Sequence, residues 1–170
     1  NNISKRVLSM KSLFIIPLVL MSLVSSPSWA LSMDDLVKRD GLYYEKFTST
    51  PFTGEVEGRW RGSIKNGEEE GYWERYHKNG QLYSKGDYKN GKWEGYWVIY
   101  HDNGQLYSKG DYKNGKMEGS WESYWQNRQL YSKGDYKNGK KEGSWEFYRE
   151  DGTVNTKYNG TYKNGVKVSD

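Results

Sequence analysis

The chain repeats itself. Residues 86–109 and 110–133 can be laid over one another without a gap at 17 identical positions, and the same 24-residue unit opens in weaker form at Gly62, returns at Gly134 and recurs as a fragment from Gly160. A unit this short cannot bury a face of its own, so copies must stack on one another to make a continuous core. The copies fall at 62–85, 86–109, 110–133 and 134–157, with a partial one at 160–168. Residues 31–61 precede them as an N-terminal cap.

Each copy carries two turn signals. They are Asn66-Gly67, Asn79-Gly80, Asn90-Gly91, Asn103-Gly104, Asn114-Gly115, Asn138-Gly139, Asp151-Gly152 and Asn164-Gly165, with Asn127-Arg128 in the one irregular place. Asn-Gly favours the type I′ turn, in which both central residues have positive φ. The stretches between are strand-length, rich in Tyr and Trp and broken by glycine. This predicts an all-β fold: an elongated antiparallel sheet of tandem 24-residue β-hairpins. Ser32 is placed to cap a short helix over Met33–Lys38, and Leu42–Phe47 with Phe52–Val56 read as a hairpin around Thr50-Pro51, closing one end.

What could fill such a core is limited. From Gly86 to Lys157 the only Leu, Ile, Val or Phe are Val98, Ile99, Leu106, Leu130, Phe147 and Val154. Aromatic rings, which bury roughly 150–250 Å² each, must replace aliphatic packing. The recurring columns Trp73, Trp97, Trp121, Trp145 and Tyr76, Tyr100, Tyr124, Tyr148 supply them, with Tyr88, Tyr112, Tyr136, Tyr162 and Leu82, Leu106, Leu130. Gly71, Gly95, Gly119 and Gly143 stand two residues before each Trp, where a missing side chain leaves room for a ring. Trp97 and Tyr100 are three apart, so either both faces are aromatic or a bulge intervenes.

Chemistry-bearing residues are few. Glu70, Glu94, Glu118 and Glu142 recur beside Lys65, Lys89, Lys113, Lys137 and Lys163, as expected of a solvated, charge-balanced ladder and not of a catalytic pair. His77 and His101 are the only histidines, and their position becomes Trp125 and Arg149 in later copies, which is not a metal pattern. Without a nucleophile elbow or phosphate loop, the sequence predicts no enzyme, no metal and no cofactor. The cysteine count is zero, so disulfides are excluded.

Residues 13–24 are apolar apart from Pro17 and Ser22, follow Lys5, Arg6 and Lys11, and precede Ser28-Trp29-Ala30. Residues 1–30 read as a secretory signal peptide cut after Ala30, so the protein is expected to be exported. A start at Met10 would leave Lys11 as its basic lead. Of 26 Lys and Arg against 22 Asp and Glu, three bases fall in this leader, and the remainder is nearly neutral. Nucleic acid is therefore a poor partner.

The unit Gly-Asp-Tyr-Lys-Asn-Gly-Lys-x-Glu-Gly-x-Trp-x-x-Tyr-x-x-Asn-Gly-Gln-Leu-Tyr-Ser-Lys resembles the bacterial variant of the MORN repeat, and Arg39–Tyr44 with Thr50–Gly54 look like the lead-in found in such proteins. The resemblance covers about residues 39–168. It implies an extended sheet of hairpins without enzymatic activity, used for protein scaffolding or membrane contact, with some bacterial relatives antitoxin-like; the leader, in a bacterium, points to a periplasmic or extracellular location. Arg128 and the extra residues near Thr156 depart from the pattern.

Positions where copies disagree point to function. Trp93 and Met117 stand where other copies have Glu69 and Lys141, and Trp125 stands where His77 and His101 do. These five, Trp93, Met117, Trp125, His77 and His101, are the candidate contacts for a protein partner. Anionic lipid on the lysine ladder and glycan on the aromatic rows are the competing partners.

Overall fold

The computed structural model describes residues 31–170. The leader reading of residues 1–30 lies outside them. Among the described residues the fold is β throughout, with one 3₁₀ turn. The strands are β1 (Leu31–Ser32), β2 (Leu36–Arg39), β3 (Leu42–Glu45), β4 (Gly54–Glu57), β5 (Trp60–Lys65), β6 (Glu68–Tyr76) and β7 (Leu82–Lys89). They continue as β8 (Lys92–Tyr100), β9 (Leu106–Lys113), β10 (Lys116–Tyr124), β11 (Leu130–Lys137), β12 (Lys140–Phe147), β13 (Gly160–Lys163) and β14 (Val166–Ser169). From β4 to β14 each strand pairs with the next in sequence, so the sheet is a meander of hairpins, and β1 joins it in parallel beside β4.

Two turn types alternate along the sheet. Asn66, Asn90, Asn114, Asn138 and Asn164 have φ of 50–53° and their glycines 68–87°, the paired positive values of a type I′ turn. The other set is different: in the loops at Gly80, Gly104, Arg128 and Gly152 only that one residue is left-handed. There His77 N–H donates to Gln81 O at 2.8 Å and Gly80 N–H to His77 O at 3.0 Å, a type I turn closed by a single left-handed residue. Arg128 repeats this pattern with φ 73° and the same two hydrogen bonds, so its departure from glycine leaves the loop unchanged.

The expected helix over Met33–Lys38 is only the 3₁₀ turn Met33–Asp35, after which β2 runs into a hairpin with β3. Asp35 closes this turn in place of a serine cap, its Oδ2 accepting from Ser32 N–H and Oγ at 2.9 and 2.7 Å. What overrides the helix is Asp40-Gly41, with φ of 49° and 85°, another turn of the I′ kind. The expected hairpin of Leu42–Phe47 with Phe52–Val56 is reduced to a bridge, Tyr44 to Pro51, because β3 pairs with β2 and β4 with β5. The insertion near Thr156 forms a turn between β12 and β13, held where Asn159 Oδ1 accepts Phe147 N–H at 2.6 Å.

Candidate functional site: the tryptophan face of the sheet

Strand alternation and register sort the side chains onto two faces. Trp73 lies opposite Gly86, Arg75 opposite Ser84 and Gly71 opposite Tyr88, and these define the tryptophan face. Tyr72 opposite Asp87 and Glu74 opposite Lys85 define the other. Tyr76 belongs to that second face, where its hydroxyl donates to Glu74 at 2.5 Å. The Trp97–Tyr100 spacing is thus explained by aromatics on both faces, and the register shift beside Ile99 and Tyr100 places its extra residue, Tyr107, on the partner strand.

On the tryptophan face the rings interleave. Trp73, Tyr88, Trp97, Tyr112, Trp121, Tyr136, Trp145 and Tyr162 form an unbroken row with centroids 5.0–6.4 Å apart and planes near perpendicular. Edge-to-face pairs of this kind add about 0.5–1.5 kcal/mol each beyond area burial. Each indole is also tethered: Trp97, Trp121 and Trp145 Nε1 donate to the carbonyls of Asp87, Asp111 and Asp135 at 3.0–3.1 Å. The four tryptophans are at most 3% exposed, so they offer no free face to a sugar ring.

Room for these rings comes from Gly62, Gly86, Gly110 and Gly134, where a methyl group would overlap the indole of Trp73, Trp97, Trp121 or Trp145. Gly71, Gly95, Gly119 and Gly143, expected to make that room, have nothing within 4 Å of the place a methyl group would take and instead hold φ of 65–70°. The recurring carboxylates also differ from expectation. Glu70, Glu94, Glu118 and Glu142 accept the backbone N–H of Asn90, Asn114, Asn138 and Asn164 at 2.8–3.0 Å, fastening each turn to the hairpin before it.

The five candidate contacts separate into two groups. His77 Nε2 and His101 Nε2 lie 3.1 and 2.9 Å from the carbonyls of Tyr100 and Tyr124, and Trp125 Nε1 donates to Tyr148 O at 3.2 Å. That position is a bond between neighbouring copies, made by whichever ring nitrogen is present. Trp93 and Met117 do lie on the tryptophan face, each half-buried. Trp93 stacks on Trp97 with centroids 3.9 Å apart and planes at 5°, and donates to Tyr88 Oη at 2.6 Å.

Sequence reasoning passed over Tyr83, Tyr107 and Tyr131 because they recur, yet they are 38–46% exposed at the bulges. Tyr131 reaches toward the tryptophan face, where its ring is 6.0 Å from Phe147. Burial, and after it the neighbouring tyrosine hydroxyls of Tyr136, Tyr83, Tyr107 and Tyr88, pushes Tyr112 up to about 12. Burial, then Tyr107 and Tyr131, raises Tyr136. Between Arg75 and Lys141 the register sets Trp93, Trp97, Ile99, Tyr112, Met117, Trp121, Ser123 and Tyr136 on this face, a field without charge.

The field is thinnest in the third copy. Ser123 stands where neighbouring copies place Ile99 and Phe147, both buried. One apolar cluster gathers on Trp73, Tyr88 and Trp97 and a second on Trp145, Phe147 and Tyr162, with Trp121 in neither.

Residues 69–90, 93–114 and 117–138 each match the family described as the MORN repeat variant, in the 24-residue period of the strands. These are MORN repeats. A comparison with curated proteins gives no match. MORN repeats are a non-catalytic repeat module, associated in general with protein or membrane-lipid binding.

Proposed function

We propose that this MORN-repeat chain is an exported, non-enzymatic scaffold that holds a protein partner against its tryptophan face, with an immunity-like neutraliser as one form of that role. The observation that carries it is the uncharged patch of Met117, Tyr107, Tyr131, Tyr112 and Tyr136 around Ser123. Rings of low conformational entropy beside a missing side chain are the usual anchors of protein contacts. Export is supported by the apolar run ahead of Ser28-Trp29-Ala30.

Affinity capture from host extract with the full chain and with Tyr107→Ser/Tyr131→Ser tests it. The partner retained by the wild type should be lost by about tenfold or more. Retention unchanged by the pair, or no partner retained, overturns the reading. The mass of the exported protein should begin at Leu31.

A second reading rests on the opposite face. There Lys89 lies beside Lys92, Lys113 beside Lys116 and Lys137 beside Lys140, a row of cations suited to anionic lipid. Each could contribute about 1 kcal/mol near such a surface. The next rungs, however, pair Asp87 with Glu94, Asp111 with Glu118 and Asp135 with Glu142. Two residues along a strand is about 7 Å, inside a Debye length of about 8 Å at physiological salt. The acids cancel much of the row's field, which favours the protein reading. Flotation with phosphatidylglycerol vesicles at low salt separates the two.

A further inference from the structure

Four residues, Glu69, Trp93, Met117 and Lys141, occupy one column of the tryptophan face, a copy apart. Two of them, Trp93 and Lys141, cover the adjacent indole. Trp93 does so by stacking on Trp97, and Lys141 lays its stem there with Nζ 4.9, 4.4 and 5.3 Å from the ring centroids of Trp145, Phe147 and Tyr162. Trp93 and Met117 carry no charge, so packing does not require one at this position.

The ammonium of Lys141 meets ring faces, those of Trp145, Phe147 and Tyr162, and no carboxylate. On the opposite face Lys109 meets Glu122 at 2.9 Å and Lys133 meets Glu146 at 3.2 Å. Among the described residues no carboxylate reaches salt-bridge distance of Lys141. Burial holds its ammonium below the ordinary lysine range. Of the other cations on this face, Arg75 already donates to the Tyr88 hydroxyl and lies 4.1 Å from the Trp60 ring, and Lys167 meets Asp170 at 2.6 Å. Glu69, a carboxylate on the same face, is buried at the far end of the sheet and accepts from Tyr43 Oη at 3.3 Å.

Resting on the protein-binding reading above, we propose that Lys141 is the recognition point for a carboxylate of the partner. The fitting occupant is an extended segment of a partner protein that sets an aspartate or glutamate on Lys141 Nζ and an adjacent apolar side chain beside Met117, Ser123 and Tyr136. A partly desolvated ammonium without a counter-ion gains more from a carboxylate than a solvated one, because its hydration is already partly lost. The uncharged neighbours accept the apolar side chain without stranding a polar group.

Selection of a random-peptide display library on the full chain, with binding then measured by fluorescence anisotropy, tests this. Lys141→Met is the informative variant, since it places the residue of the preceding copy in the same column and keeps the cover over Trp145. Selected peptides should be enriched in Asp or Glu next to Leu, Ile, Val or Phe, and should bind Lys141→Met about tenfold more weakly while retaining affinity for Lys141→Arg. Peptides with no acidic enrichment, equal binding to Lys141→Met, or a selection that yields no binder each overturn the proposal. So does retention by phosphatidylglycerol vesicles that depends on Lys141, which would make the partner a lipid phosphate. If peptides bind but respond to Tyr107→Ser/Tyr131→Ser and not to Lys141→Met, the carboxylate site falls and the scaffold reading stands. If neither change matters, both fall.

Discussion

Gly110 and Gly119 belong to the same copy and are required for unrelated reasons. Gly110 has no left-handed backbone, but its missing side chain is where the Trp121 indole lies. Gly119 has open space around it and φ of 66°. Gly110→Ala should cost about 1–3 kcal/mol through overpacking, and Gly119→Ala about 1–2 kcal/mol through backbone strain. The mechanisms separate with asparagine, which tolerates positive φ: Gly119→Asn should recover much of the loss, whereas Gly110→Asn should be worse than alanine. Urea denaturation followed by tryptophan fluorescence reads both. At the same scale, burial, with Glu69 beside it, pushes Tyr43 to about 12, and burial among tyrosines does the same for Tyr112, from an ordinary value of 10. The unfolded chain gives up these protons first, so their contribution is complete below pH 10 and is lost as pH rises to about 12. Denaturant midpoints should fall across that interval, and a flat profile would contradict the burial of these hydroxyls.

At the scale of the element, each hairpin is joined to the next at both edges. Turn glycines Gly91, Gly115 and Gly139 donate to Glu69, Trp93 and Met117 carbonyls at 2.9–3.0 Å, and on the opposite edge Asn79, Asn103 and Asn127 side chains donate to the carbonyls of Asp102, Gln126 and Glu150. Arg128 sits in one of these loops with its backbone left-handed, which costs a residue with a Cβ about 1–2 kcal/mol. Glycine relieves that strain but loses more entropy on folding, by roughly 0.5–1 kcal/mol. Arg128→Gly should therefore stabilise the chain by about 0.5 kcal/mol and leave the loop bonds intact. A rise in the urea midpoint without a change in slope is the expected result. The N-terminal cap shows where element prediction fails. Leu36–Arg39 has the composition of a helix end, but Asp40-Gly41 turns the chain and β3 offers a partner, so pairing wins over propensity. The turn dipeptide was visible in the sequence and carried the decisive information.

At the scale of the molecule, the inner copies bond to their neighbours in one recurring pattern, so stability should be close to a sum over copies and interfaces. Deleting residues 110–133 should leave a folded sheet shorter by about 10 Å, the width of two strands, measurable as maximum dimension in solution scattering. Failure of that shortened chain to fold would mean that the third copy carries more than its share. The period, the hairpins and the aromatic character of the core were legible in the chain alone, because repetition and the Asn-Gly turns act through local φ preferences and the shortage of aliphatic residues leaves rings as the only filler. Variation between copies drew attention to Trp93 and Met117, which lie on the tryptophan face, and to His77, His101 and Trp125, which bond one copy to the next. Which residue faces which surface depended on bulges and register, and those are set by pairing across strands distant in sequence. Only the tertiary structure could place Gly110 under Trp121 and Lys141 over Trp145 without a carboxylate, since both are relations between neighbours that no single strand contains.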